Sequence, residues 1–193
     1  MITSGINFKN FNFIKKKSAL IKKKLKQVLK ENNAVIQSLQ KNYKDSFSVK
    51  HIRKYRDFSN IRIIGMGGSS LGTQAIYDFL KLKIKKNFFF INNLQPKISF
   101  KKNKKHLNLV ISKSGDTIET IVNSNIYIKK RDQNIFVTDK KKNYLNILAN
   151  KLKSDVIHHN NFIGGRFSVL SEVGMLPAEL MGLKSKKFRQ LNN

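Results

Sequence analysis

From Asn60 onward, apolar runs of four or five residues alternate with longer stretches of helical periodicity, and few architectures accept that rhythm. The runs are IRII (61–64), FFFI (88–91), LNLVI (107–111), NIFVT (134–138) and DVIHH (155–159). Between them lie TQAIYDFLKLK (73–83), IETIVNSNIYIKK (118–130) and NYLNILANKL (143–152). Strand and helix in alternation predict a parallel sheet with helices on both faces. The runs are nearly continuous in apolar residues rather than alternating, as strands are when both faces are buried. The expectation is an open five-stranded parallel α/β sandwich. In such sheets ligands sit beyond the carboxyl ends of the strands.

Two of those strand ends carry unusual turns. GMGGSSLG (65–72) follows the first run, and SKSGDTIET (112–120) follows the third. In the second string Ser112, Ser114 and Thr117 offer hydroxyls just before a helix, and Gly115 permits a positive φ. A helix N-terminus presents unpaired N–H groups and a partial positive charge, which suits a phosphate dianion. Lys113 adds a cation, or points away with only its backbone in use. The plain alternative is an ordinary N-cap, since Ser, Asp and Thr all cap well. Asp116 would repel a phosphate unless its side chain turns to solvent or to a helix cap. The first string departs from a dinucleotide fingerprint, because Ser70 stands where the last glycine is needed. The second strand run is followed by Asn92 and Asn93, so no carboxylate waits there for a ribose hydroxyl. Backbone amides at residues 65, 67 and 68, with the Ser69 hydroxyl, instead suit a small polar ligand.

A third string, GGRFSVLSEVGMLP (164–177), sets Arg166 directly after two glycines. A fixed, forked cation there would stabilise an enediolate oxygen. A buried structural pair with Glu172 or Glu179 would use the same residue differently. The four histidines, His51, His106, His158 and His159, show no metal-ligand spacing and read as core or surface residues. A helix is expected to begin near Pro177.

Before residue 60 the pattern is helical. Residues 18–33 place Leu20, Ile21, Leu25, Val28 and Leu29 on one face with lysines opposite. Shorter helical segments are expected at 34–40 and 50–57. The chain is thereby divided into an N-terminal helical segment (1–57), an α/β domain (58–183) and a following segment (184–193).

The formal net charge of +28 invites a nucleic-acid reading. Arginine, however, supplies only six of the 39 basic residues, and it is arginine that makes bidentate base contacts. The lysines fall in scattered clusters at 15–17, 22–24, 101–105 and 140–142, which argues against specific nucleic-acid binding. No run of 18 apolar residues suggests a membrane span, and no signal peptide is evident, so a cytoplasmic location is expected. Cysteine is absent, which removes disulfides and thiolate chemistry.

Taken in order and spacing, the three strings resemble those of the phosphoglucose isomerase family, in its N-terminal part. The resemblance spans roughly residues 61–182. It implies that Gly68 and Ser69 contact a sugar, that Ser112, Lys113, Ser114 and Thr117 hold its phosphate, and that Arg166 stabilises the enediolate. It further implies interconversion of glucose 6-phosphate and fructose 6-phosphate with no metal or organic cofactor, by a homodimer with composite sites. In that family a glutamate moves the proton, while a histidine and a lysine assist ring opening. Those residues belong to a second domain, beyond the last residue of this sequence. The resemblance therefore implies a phosphate-binding half-site, inactive by itself; the alternative is a stand-alone sugar-phosphate-binding or regulatory module.

Overall fold

The computed structural model describes residues 18–94, 106–130 and 132–189, in two compact units, 1–32 and 33–193. The lysine clusters at 15–17 and 101–105 lie outside the described residues.

In the first unit, helix α1 (Ala19–Lys30) starts where Ser18 Oγ accepts the Ile21 amide at 3.3 Å. Its apolar face, including Leu20, Ile21 and Leu25, is exposed.

The second unit opens with two short helices, α2 (Ala34–Ser38) and α3 (Val49–Ile52), each N-capped by a side chain, Asn33 and Ser48. A 3-10 turn at Arg53–Tyr55 continues α3. The sheet follows: β1 (Asn60–Ile64), β2 (Asn87–Ile91), β3 (Leu107–Ile111), β4 (Gln133–Thr138) and β5 (Asp155–His158). All pairings are parallel, in the order β2-β1-β3-β4-β5. The expected five-stranded parallel sandwich is thus the fold found. Helices α4 (Leu71–Leu80), α5 (Ile118–Tyr127) and α6 (Tyr144–Lys151) fill the crossovers.

Both faces of the sheet are covered, which is why β1 and β3 are buried along their whole length. One face sends Ile61, Ile63, Leu107, Leu109 and Val137 toward Ile52, Tyr55, Met175 and Leu176. The other packs Ile64, Val110 and Phe136 against Tyr127, Leu145 and Ala149 from α5 and α6. Each such side chain contributes about 1.5–3 kcal/mol of transfer free energy. Near the amino ends of the strands the second face turns polar. There Arg62, Asn108 and Asn134 bond side by side across three strands, and Asp132 accepts from Arg62 at 3.1 Å. A buried guanidinium requires such a carboxylate.

Helix α7 (Glu172–Leu180) corrects the expectation of a start near Pro177, which instead lies inside the helix. Proline has no N–H for the carbonyl four residues back, here that of Val173. The Thr73 hydroxyl of α4 donates to that carbonyl at 3.3 Å. The tertiary contact replaces the missing helical bond. A last short helix, α8 (Ser185–Phe188), precedes Arg189, which is buried and forks onto both Asp45 carboxylate oxygens. Among the described residues no helix is long and apolar enough to cross a membrane, and no group of three metal-ligating side chains occurs.

Candidate functional site

Strand order fixes where a ligand belongs. The chain leaves β1 toward β2 and then returns to β3 on the opposite side, so a crevice opens between the carboxyl ends of β1 and β3. GMGGSSLG and SKSGDTIET leave those two ends.

At the end of β3, Ser112 is buried, and its Oγ lies 2.9 Å from Thr117 Oγ1 and 3.4 Å from Ser114 Oγ. The Gly115 amide donates to Ser112 Oγ at 3.2 Å. Gly115 has φ +74°, and a Cβ there would run into Asn143, so the turn requires glycine. Thr117 occupies the N-cap position of α5 without a side-chain cap bond. The ordinary-cap alternative is therefore not what the threonine does. Its hydroxyl joins the other two, and the first amides of α5 keep their capacity for an anion.

Asp116 turns away from this cluster. Its Oδ1 accepts the Tyr144 amide at 2.8 Å, at the N-terminus of α6. Lys113 reaches the other way, donating from Nζ to the Asn161 carbonyl at 2.6 Å. It links the second motif to the loop of the third.

The first motif forms a 3-10 turn at Gly67–Ser69 before α4. Gly68 packs directly on the third motif, for a Cβ there would overlap the Gly165 carbonyl. Ser168 Oγ donates to the Gly165 carbonyl at 2.7 Å and approaches the Gly68 carbonyl at 3.4 Å. Ser69 is half-buried beside this contact.

Arg166 sits in a 3-10 turn, Gly165–Phe167, and is exposed. No hydrogen bond or ion pair holds its guanidinium among the described residues. The carboxylates offered as structural partners are engaged elsewhere. Glu179 accepts the Ser185 amide at 2.8 Å. Glu172 is buried and faces His159, with Tyr43 and Ser46 donating to it.

That last cluster was not legible in the sequence. His159 Nδ1 lies 3.4 Å from Glu172 Oε2, at the floor of an open pocket of about 340 Å³ beyond the end of β5. Burial alone would raise the Glu172 carboxyl. The neighbouring His159, its own backbone amide and the Tyr43 hydroxyl outweigh that and hold it below the ordinary carboxylate value. The one available hint was a histidine at a strand end, and it does not name its partner.

The model of the phosphoglucose isomerase family matches residues 14–192. The glucose-6-phosphate isomerase of Methanocaldococcus jannaschii is 35% identical over 161 residues, covering 75% of this chain and 39% of that protein. The chain thus spans about two-fifths of the length of that curated relative. Among solved structures, a hypothetical protein from Thermus thermophilus superposes with a TM-score of 0.69 at 23% identity, over 86% of this chain and 45% of that one. The tagatose-6-phosphate ketose/aldose isomerase of Escherichia coli gives 0.59 at 13% identity, over 80% and 48%. These two share the fold. Because the matched family span takes in all three strand-end motifs, the chain belongs to the phosphoglucose isomerase family.

Proposed function

We propose that this chain supplies the phosphate-holding and charge-stabilising part of an aldose–ketose isomerase that interconverts glucose 6-phosphate and fructose 6-phosphate. The observation that carries the reading is the hydroxyl cluster of Ser112, Ser114 and Thr117 at the N-terminus of α5, inside the crevice where the other two motifs meet. Those hydroxyls and the α5 amides hold the phosphate, and Gly68 and Ser69 meet the sugar. Arg166, exposed and unpaired among the described residues, stabilises the enediolate oxygen as charge develops on it.

Isomerisation also needs a base that carries a proton between C1 and C2, worth about 10²–10⁴-fold. Glu172, Glu179 and Asp116 are each bonded to protein groups outside the crevice. Following the family resemblance, and not by elimination among the carboxylates of this chain, the base is assigned to another part of the enzyme, and this chain by itself would be inactive. Action in glycolysis and gluconeogenesis, in the cytoplasm and as a homodimer, belongs to the same proposal and rests on family membership.

The test is Arg166→Ala in the complete enzyme. Turnover should fall by about 10²–10³-fold, the scale for losing one oxyanion donor. The KM for fructose 6-phosphate should change far less, because the lost interaction forms in the transition state. Unchanged turnover would remove Arg166 from this role.

A further inference from the structure

The loop that carries Arg166, residues 160–171, leaves the sheet at His159 and rejoins a helix at Glu172. Those two residues face each other. Both are almost fully buried, with side chains 1% and 3% exposed. His159 Nε2 lies 3.0 Å from the Ile163 carbonyl, inside the loop. A carbonyl only accepts, so Nε2 carries hydrogen. His159 Nδ1 faces Glu172 Oε2 at 3.4 Å, and neither atom has a hydrogen-bond partner among the described residues. A proton must sit between them, or two lone pairs would oppose each other away from water. The other carboxylate oxygen accepts the Tyr43 hydroxyl at 3.0 Å and the Ser46 amide at 3.3 Å. Ser46 Oγ in turn donates to the His158 carbonyl at 2.5 Å. The start and end of the loop are thus fastened to each other and to the segment before α3.

A buried pair of this kind is a weak source of net stability, yet it is demanding in geometry. Fastening matters here because Arg166 has no partner of its own among the described residues. We propose that His159 and Glu172 are a positioning pair for Arg166: a proton-sharing staple that closes the base of the loop and fixes where the guanidinium stands. The proposal rests on the role given to Arg166 above.

The test uses the complete enzyme, with fructose 6-phosphate as substrate. Glu172→Ala should lower kcat by about tenfold or more and leave KM within about twofold, since it acts on a transition-state contact. Glu172→Gln should keep most of the activity, because an amide can donate to a neutral His159 and still accept from Tyr43. In an Arg166→Ala background, Glu172→Ala should cost almost nothing further. Losses that multiply in the double variant, or no rescue by glutamine, would overturn the proposal. Should Glu172→Ala not fold, Tyr43→Phe removes one donor to the same carboxylate and should show the same pattern at smaller amplitude.

A second readout does not depend on activity. Amide hydrogen exchange across residues 160–171 should quicken in Glu172→Ala and return in Glu172→Gln, with the sheet amides unchanged. Equal exchange in all three proteins would overturn the positioning role. Unchanged turnover in Arg166→Ala would instead count against the role given to Arg166 above, and the exchange result would still decide the staple.

Discussion

A carboxylate beside a phosphate-binding turn weakens binding only if it faces the turn. Asp116 faces the N-terminus of α6, where it accepts the Tyr144 amide. Asp116→Thr is therefore expected to leave fructose 6-phosphate affinity unchanged and to cost about 0.5–1 kcal/mol of stability through the lost cap. Calorimetric titration and thermal unfolding separate the two effects. Tighter binding would mean that the carboxylate reaches the ligand after all. At this scale the sequence was informative wherever partners were close along the chain. Ser112, Ser114 and Thr117 could be read as one hydroxyl cluster because a tight turn joins them. The partners of Lys113 and His159 could not be read, because Asn161 and Glu172 come near only through the packing of other elements. Nor could sequence decide whether Arg166 is buried and paired or exposed, since both states suit an arginine that follows two glycines.

Among the elements, the strands were easy to read and α7 was not. Burial on both faces leaves few polar positions in a strand, here Arg62, Asn108 and Asn134 bonded to one another near the amino ends, so each strand was found within a residue or two. Pro177 looked like a helix start because proline suits the first turn. The actual start five residues earlier depends on Thr73, far away in sequence, which satisfies the Val173 carbonyl that Pro177 cannot reach. Thr73→Val keeps the shape and removes that donor, so it should cost about 1–2 kcal/mol, as expected when a buried carbonyl is orphaned. In a Pro177→Ala background the cost should shrink, because residue 177 then has an N–H to offer. Urea midpoints of the four proteins measure this coupling, and equal costs in both backgrounds would contradict it.

For the molecule as a whole, the sheet order does most to define the site, since it brings the ends of β1 and β3 together. Repeated strand and helix implied a parallel sheet but not that order. The segment before β1 is held to the far edge of the sheet through Asp155 of β5, which bonds Lys54 at 2.8 Å, Tyr55 at 2.7 Å and His51 at 2.6 Å. Partial burial pushes the Asp155 carboxyl up, but those three bonds outweigh it and bring it below its ordinary value. A lowered folded value stabilises the protein above the unfolded pKa of about 3.9, and that stability is lost as pH falls through the folded value. The stability difference between wild type and Asp155→Asn should thus be full above about pH 5 and shrink progressively as the solution is acidified below the unfolded value. A constant difference over that range would contradict the assignment.

The net charge of +28 is spread over lysine clusters such as those at 22–24 and 140–142, whereas the hydroxyls of the crevice sit in one turn, 112–117. A general attraction to anions and a built phosphate site therefore make different demands on the same experiment. The most direct measurement is an amide NMR titration of this chain with fructose 6-phosphate at physiological salt. Saturable shifts should be confined to residues 112–120, Gly68 and Ser69, with fructose itself producing none. Shifts that follow the lysine clusters without saturating, while residues 112–117 stay still, would contradict a sugar-phosphate site at the β1–β3 crevice.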